Sequence, residues 1–152
     1  MEARLNAKDI SPAGMRAMGA LHGFVHDCGL EFTLLELVKL RASQINGCAF
    51  CMDMHAKELR AAGESEQRVY LLSAWSESPQ FTARERAALA WTETLTLVAK
   101  GNAPDSAWDA VRLHFNETEL VNLTLAIVAI NGANRVNIAF RTVPGSHVPR
   151  GS

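Results

Sequence analysis

Thr33-Leu-Leu-Glu-Leu-Val-Lys-Leu-Arg-Ala-Ser-Gln-Ile-Asn-Gly-Cys-Ala-Phe-Cys-Met-Asp-Met-His55 is the stretch on which the fold turns. Thr33 followed three positions later by Glu36 fits a helix-capping box, and apolar residues follow at helical spacing. Asn46-Gly47 breaks that helix and lets a second begin at once, which predicts a helical hairpin. Outward from it the same grammar repeats. Ser11-Pro12 reads as a cap with proline at the first helical position, and Thr82-Ala-Arg-Glu85 and Asn116-Glu-Thr-Glu119 read as capping boxes. Ala88, Trp91, Leu95 and Val98 step by three and four, the stripe of a core-facing helix. Helices are expected over 12–28, 33–46, 48–62, 65–75, 82–99, 105–114 and 117–141. Val, Ile and Thr gather into no alternating strand runs. The expected fold class is all-α, a single helical domain of about six or seven helices.

Composition agrees. The chain has 152 residues, 48% hydrophobic and 20% charged, which suits one domain and argues against general disorder. Fifteen basic residues against 16 acidic ones give a net charge of -1, which speaks against nucleic acid and against an anionic membrane surface as partners. Met1 to Ile10 holds no apolar stretch of the signal-peptide kind, and three cysteines make no secreted disulfide framework, so a cytoplasmic location is expected. The run Leu120 to Ile130 is apolar nearly all round, which predicts a helix covered on several sides, with a partner subunit as one cover. The helical domain is assigned to 1–143. Residues 144–152 have the composition of a flexible tail, and Val148-Pro-Arg-Gly-Ser152 looks like a protease-site remnant, so His147 is set aside with them.

The chemistry gathers in Cys48-Ala-Phe-Cys51-Met-Asp-Met-His55. On a helix Cys48, Cys51 and His55 fall within an arc of roughly 60°. Cys51 and His55 are neighbours about 6 Å apart along the axis, whereas Cys48 and His55 are about 10 Å apart. The first turn of a helix favours a thiolate through its free N–H groups and dipole. If the two helices fold back at Asn46-Gly47, residues equidistant from the turn face each other, and the midpoint of Glu36 and His55 falls between Ile45 and Asn46. On one continuous helix Glu36 and Cys48 would instead lie about 18 Å apart. A thiolate nucleophile, an imidazole to take its proton and a carboxylate to orient the imidazole follow the logic of a triad. The second cysteine resolves a sulfenic acid or mixed disulfide. The dipole favours Cys48 as the first attacker and the neighbouring base favours Cys51; we take Cys51, with Cys48 as proton donor and resolving thiol.

Glu36, eleven residues, then Cys48-x-x-Cys51-x-x-x-His55 resembles the signature of the AhpD-like alkylhydroperoxidases of the carboxymuconolactone decarboxylase superfamily. The resemblance covers about residues 15–100. It implies an all-helical fold, trimers or hexamers, and Glu36, Cys48, Cys51 and His55 as the catalytic set. It also implies thiol-dependent reduction of hydroperoxides or of a partner's disulfide, without a cofactor and with a dithiol, lipoyl or thioredoxin-like protein as electron donor. The chain departs from the pattern at Phe50, where the best-described AhpD proteins carry a second histidine. Decarboxylases of the superfamily lack the cysteine pair.

Other readings of the same residues stand beside this one. Glu36 is open to being only the capping partner of Thr33. Cys48 and Cys51 with His22 and His26 offer the donors of a zinc-stabilised structural domain. A non-catalytic helical oligomer that senses redox state is the other alternative. Apart from zinc, His22, His26 and His114 read as surface or interface residues, Cys28 as a small filler at a helix end, and Trp75, Trp91 and Trp108 as anchors. Asn131, Asn134 and Asn137 read as a polar edge at a subunit contact.

Overall fold

The computed structural model describes residues 2–149. Among them every regular element is helical: α1 (Ala7–Ile10), α2 (Pro12–His26), α3 (Phe32–Asn46), α4 (Ala49–Ala61), α5 (Glu66–Leu71), a 3₁₀ segment (Leu72–Glu77), α6 (Ala83–Thr96), α7 (Val98–Gly101), α8 (Asp105–Val111) and α9 (Glu117–Phe140). The seven expected helices all exist. The extra segments are single turns, α1 ahead of Pro12 and α7 where the expected helix over 82–99 breaks at Leu97. Both distal capping boxes form as read, Thr82 with Glu85 and Asn116 with Glu119.

The box expected at Thr33 does not form. α3 starts one residue earlier, with Glu31 at the cap position and no side-chain capping bond. Glu36 is thereby released from the helix end and turned inward, where it is 3% exposed.

The central rod is α3, which packs against α4, α6 and α9. Its buried residues run almost without interruption from Leu34 to Ser43. It parts the core into three clusters: Leu34, Leu35 and Val38 meet Trp91, Leu123 and Ile127; Leu37 and Leu40 meet Leu59, Leu72 and Leu89; Ala42 meets Cys48, Cys51 and Ile130. The last helix, expected to be covered on several sides, buries only the flank that faces α2, α3, α4 and α6. It is long and apolar enough to cross a membrane by length and composition alone, with a mean hydropathy of 1.3 over its most apolar window, but it packs here as a wall of the bundle. Val121 and Val128 remain 59% and 54% exposed on its outer side.

The hairpin between α3 and α4 is locked at Gly47. Its φ of 71° and ψ of 32° lie in the left-handed region. The N–H of Gly47 donates to the carbonyl of Gln44, and that of Cys48 donates to the carbonyl of Ser43, the paired closure of a Schellman motif. Asn46 then ties the turn to α9, donating from Nδ2 to Oδ1 of Asn131 at 3.0 Å and of Asn134 at 2.9 Å. Asn134 donates in turn to Ser43 Oγ at 3.0 Å and is 0% exposed. The asparagines expected at a subunit contact therefore face inward. Asn131 and Asn134 satisfy the side chains of Asn46 and Ser43 where α3 ends, whereas Asn137 turns toward α4.

No atom outside the glycine and its neighbours comes within 4 Å of a β-carbon built at Gly47, so a side chain there costs backbone strain and not a clash. Gly47→Ala is expected to lower stability by about 1–2 kcal/mol, the cost of the left-handed conformation in an L-residue. Thermal unfolding should show a midpoint about 2–8 °C lower for a chain of this size, and Gly47→Asn should lose less.

Candidate active site

α4 begins with Cys48 as its cap residue, whose sulfur accepts the N–H of Cys51 at 3.4 Å. The inward face of α4 is Cys51, His55 and Leu59, one residue every four. Cys48 and Cys51 stand as a disulfide pair, Cα to Cα 5.4 Å, and both are buried. Cys28 is a free cysteine, half-buried at the end of α2.

Across the turn, His55 Nδ1 donates to Glu36 Oε2 at 2.6 Å. The other carboxylate oxygen, Oε1, accepts from Lys39 Nζ at 2.8 Å. All three side chains are nearly sealed from water, with 4% exposure for Glu36, 7% for His55 and 10% for Lys39. Burial pushes the Glu36 carboxyl upward. The His55 hydrogen bond, the charge of His55 and the ammonium of Lys39 outweigh it and hold the group below its ordinary range. A carboxylate only accepts, so Nδ1 carries a proton, and in the neutral form of the ring the lone pair is at Nε2. That nitrogen is buried without a hydrogen-bond partner among the described residues.

His55 opens onto a cleft of about 1120 Å³ bounded by residues 3–8, α2, the start of α3, α4, the end of α9 and residues 142–147. Glu36, Lys39 and His22 form its polar corner, while Phe50, Met54, Ile130, Val136 and Phe140 line its apolar side. The cysteines lie behind this wall: Phe50, Ile130 and Ala133 pack on them and line the cleft as well. Asn137, another lining residue, donates from Nδ2 to Cys51 Sγ at 3.4 Å.

Three neighbours of the site escaped the sequence reading. Lys39 follows Glu36 by one helical turn, a spacing that in isolation reads as a surface ion pair. His22, expected at the surface or an interface, faces the cleft. Burial, then the positive charges of Lys39 and His55, hold its pKa below the ordinary value against an opposing pull from Glu36. Asn137 carried no signal beyond its place among three polar residues on α9. His26 lies at the rim, paired with Asp27 at 2.8 Å, and His114 is exposed. None of the three tryptophans lines the cleft. Trp91 is core, its ring edge-on to Trp108 at 6.3 Å, and Trp75 donates to Glu93 at 2.7 Å. Among the described residues no group of three or more His, Cys, Asp or Glu is arranged to hold a metal ion, so His22 and His26 do not join the cysteines in a zinc site. In the segment set aside as tail, the Gly145 N–H donates to Asp53 Oδ2 at 3.0 Å and His147 Nε2 meets Glu58 Oε1 at 2.6 Å.

Comparison with known proteins gives the arrangement a context. The model of the carboxymuconolactone decarboxylase family matches residues 12–94. The uncharacterized protein YdfG of Bacillus subtilis is 41% identical over 139 residues, covering 91% of this chain and 95% of its own. The alkyl hydroperoxide reductase AhpD of Bradyrhizobium diazoefficiens is 33% identical over 81 residues, 53% of this chain and 38% of that protein. A solved structure from Agrobacterium tumefaciens, a protein of unknown function proposed as the antioxidant defence protein AhpD, superposes with a TM-score of 0.93 at 46% identity, covering 96% of this chain and 100% of its own. With its helical hairpin, paired cysteines and acid–imidazole contact, the chain belongs to the AhpD-like branch of the carboxymuconolactone decarboxylase family.

Proposed function

We propose that the protein is a cysteine-based peroxidase that reduces organic hydroperoxides, with Cys51 attacking, Cys48 resolving, and Glu36 and His55 moving the proton. The observation that carries this reading is the buried Nε2 of His55, left without a hydrogen-bond partner while Nδ1 meets Glu36 at 2.6 Å, one helical turn from Cys51. Glu36 accepts the Nδ1 proton and keeps Nε2 free as a base. Nε2 takes the proton of the Cys51 thiol. The thiolate attacks the terminal oxygen of the hydroperoxide: the S–O bond forms, the O–O bond breaks, and the departing alkoxide takes the proton from His55 to leave as an alcohol. The thiol of Cys48 then attacks the sulfenic sulfur; the S–S bond forms and the released hydroxide takes the Cys48 proton to leave as water. An external dithiol restores both thiols by exchange. A dihydrolipoyl or thioredoxin-like protein is the class of donor that fits, and a reducing cytoplasm is the compartment that supplies it.

The apolar side of the cleft favours a hydroperoxide with a hydrocarbon body. Phe50, where the family pattern has a histidine, shortens the proton relay to Glu36 and His55. The exposed Val121 and Val128 stripe on α9 supports assembly into a homo-oligomer, a trimer or hexamer in keeping with the family. The burial of both sulfurs behind the cleft wall favours one competing reading, a redox-sensing module that oxidises reversibly without turnover.

The reduced protein is expected to lose two thiols on one equivalent of organic hydroperoxide, with the bridge located between Cys48 and Cys51 by mass analysis of peptides. With a dithiol donor it should consume hydroperoxide continuously, and Cys51→Ser should abolish this. Equal rates in the two proteins would remove Cys51 from the mechanism, and oxidation without turnover would favour the sensing module.

A second expectation concerns pH. The Glu36 carboxyl sits below its unfolded value, so the unfolded chain binds the extra proton in the window between the two. Its contribution to stability is present above the ordinary carboxylate range, near pH 4.3, and is lost as pH falls through the folded value. Glu36→Gln should flatten that acid limb of the thermal midpoint against pH. At neutral pH it leaves the Lys39 ammonium buried without its counter-charge, at a cost of about 3–5 kcal/mol. Peroxide turnover should fall by about 10²-fold or more.

A further inference from the structure

Asn137 of α9 makes two hydrogen bonds with one nitrogen. Nδ2 donates to the carbonyl of Ala133, one turn back on its own helix, at 3.0 Å, and to Cys51 Sγ at 3.4 Å. The first bond settles which way the amide faces. A carbonyl oxygen only accepts, so the group beside Ala133 must be the NH₂ and not the amide oxygen. With one hydrogen held there, the second is aimed at sulfur. The donor is set by the backbone of α9 and needs no reorganisation when Cys51 changes state.

The two sulfurs are thus served differently. Cys48 takes a backbone N–H from Cys51, a bond that any cysteine at a helix cap can make. Cys51 takes a side-chain donor brought from another helix. The titratable neighbours of Cys51 are its partner Cys48 at the cap of α4 and His55 one turn on; the cleft beyond the wall holds Glu36 and Lys39 of α3, His22 and His26 of α2, Asp27, Glu58 of α4, Lys8 and His147. From α9 the residue that reaches the sulfur is neutral.

We propose that Asn137 is a catalytic residue that stabilises the Cys51 thiolate through its fixed Nδ2–H and so singles out Cys51 as the attacking sulfur. The assignment rests on the peroxidase reading for its use in turnover. The hydrogen bond and its effect on the sulfur stand without it. An N–H donor gains strength as its acceptor becomes charged, so it favours the thiolate over the thiol. The same N–H meets the sulfur in the paired state seen here, where a disulfide sulfur is a weak acceptor. Reduction therefore strengthens a contact that already exists. The step it assists is the first: the Cys51 proton goes to His55 Nε2, and the negative charge left on sulfur is met by the amide before the hydroperoxide arrives.

The test is a titration of Cys51 in a Cys28→Ser, Cys48→Ser protein, followed by thiolate ultraviolet absorbance, which does not depend on a reagent reaching the buried sulfur. Asn137→Leu, which removes the donor, should raise the Cys51 pKa by about one to two units, the span of one charge-assisted hydrogen bond. Asn137→Asp, which keeps the shape but replaces the donor with a charge of the wrong sign, should raise it at least as far. In the reduced wild-type chain the Nδ2 proton resonance of Asn137 should move downfield with the same pH midpoint as the sulfur, a readout that needs no substitution to fold. Unchanged sulfur titration in both variants, or an Asn137 resonance indifferent to the sulfur, would overturn the inference. Hydroperoxide turnover is assayed separately. A protein with an Asn137-dependent titration and no turnover would overturn the peroxidase reading and the catalytic use of the contact while leaving the stabilisation of the Cys51 thiolate standing; turnover with a titration indifferent to Asn137 would overturn this inference alone.

Discussion

A buried carboxylate held between an imidazole and an ammonium is the constraint on which the rest of the molecule depends. Glu36 gives one oxygen to His55 at 2.6 Å and the other to Lys39 at 2.8 Å. Taking such charges out of water is costly, and their mutual attraction offsets the cost only when the geometry is held tightly. The fold supplies that holding. α3 is gripped by α4, α6 and α9, the left-handed turn at Gly47 sets the register of α3 against α4, and the Asn46–Asn131–Asn134 network pins the turn to α9. A shift of one residue at the turn would carry His55 about 100° around α4 and out of reach of Glu36.

This arrangement explains why the most buried helix is not the most apolar one. Periodicity counts Glu36, Lys39 and Ser43 against burial of α3, yet each is satisfied internally: the first two by each other and His55, Ser43 by the Lys39 carbonyl and Asn134. The last helix, more apolar on average because it carries few charged residues after its first turn, lies at the side of the bundle. The sum of apolar residues along a helix measures what it would gain by burial. Which helix is central is decided by which polar groups find partners across the core, and that is a property of pairs distant in sequence.

The same distinction marks what could be read from the sequence. The helix content, the stop at Gly47 and the two distal capping boxes rest on residues within four positions of one another, and they appear where they were expected. So does the meeting of Glu36 with His55, because a hairpin converts equal distance from a turn into proximity. The capping box at Thr33 was misread for a physical reason. Thr33 and Glu36 satisfy the local pattern, but α3 begins at Phe32, and the pull on Glu36 comes from His55, nineteen positions away. Lys39, His22 and Asn137 are not legible as site residues: His22 and Asn137 enter through helix crossings, and the i,i+3 pair of Lys39 with Glu36 looks the same on a solvated helix face as in a buried site.

The state of the His55 ring carries the central claim, because only the tautomer protonated at Nδ1 leaves Nε2 free to act as a base. Nitrogen-15 NMR of histidine-labelled protein, reduced and held above the ordinary histidine titration range, reads it directly. The account predicts a protonated, strongly deshielded Nδ1–H at His55, lost in Glu36→Gln, together with an unprotonated Nε2. A proton on Nε2 and a bare Nδ1 would contradict it, since the ring's lone pair would then face the Glu36 carboxylate and Nε2 would have none to offer.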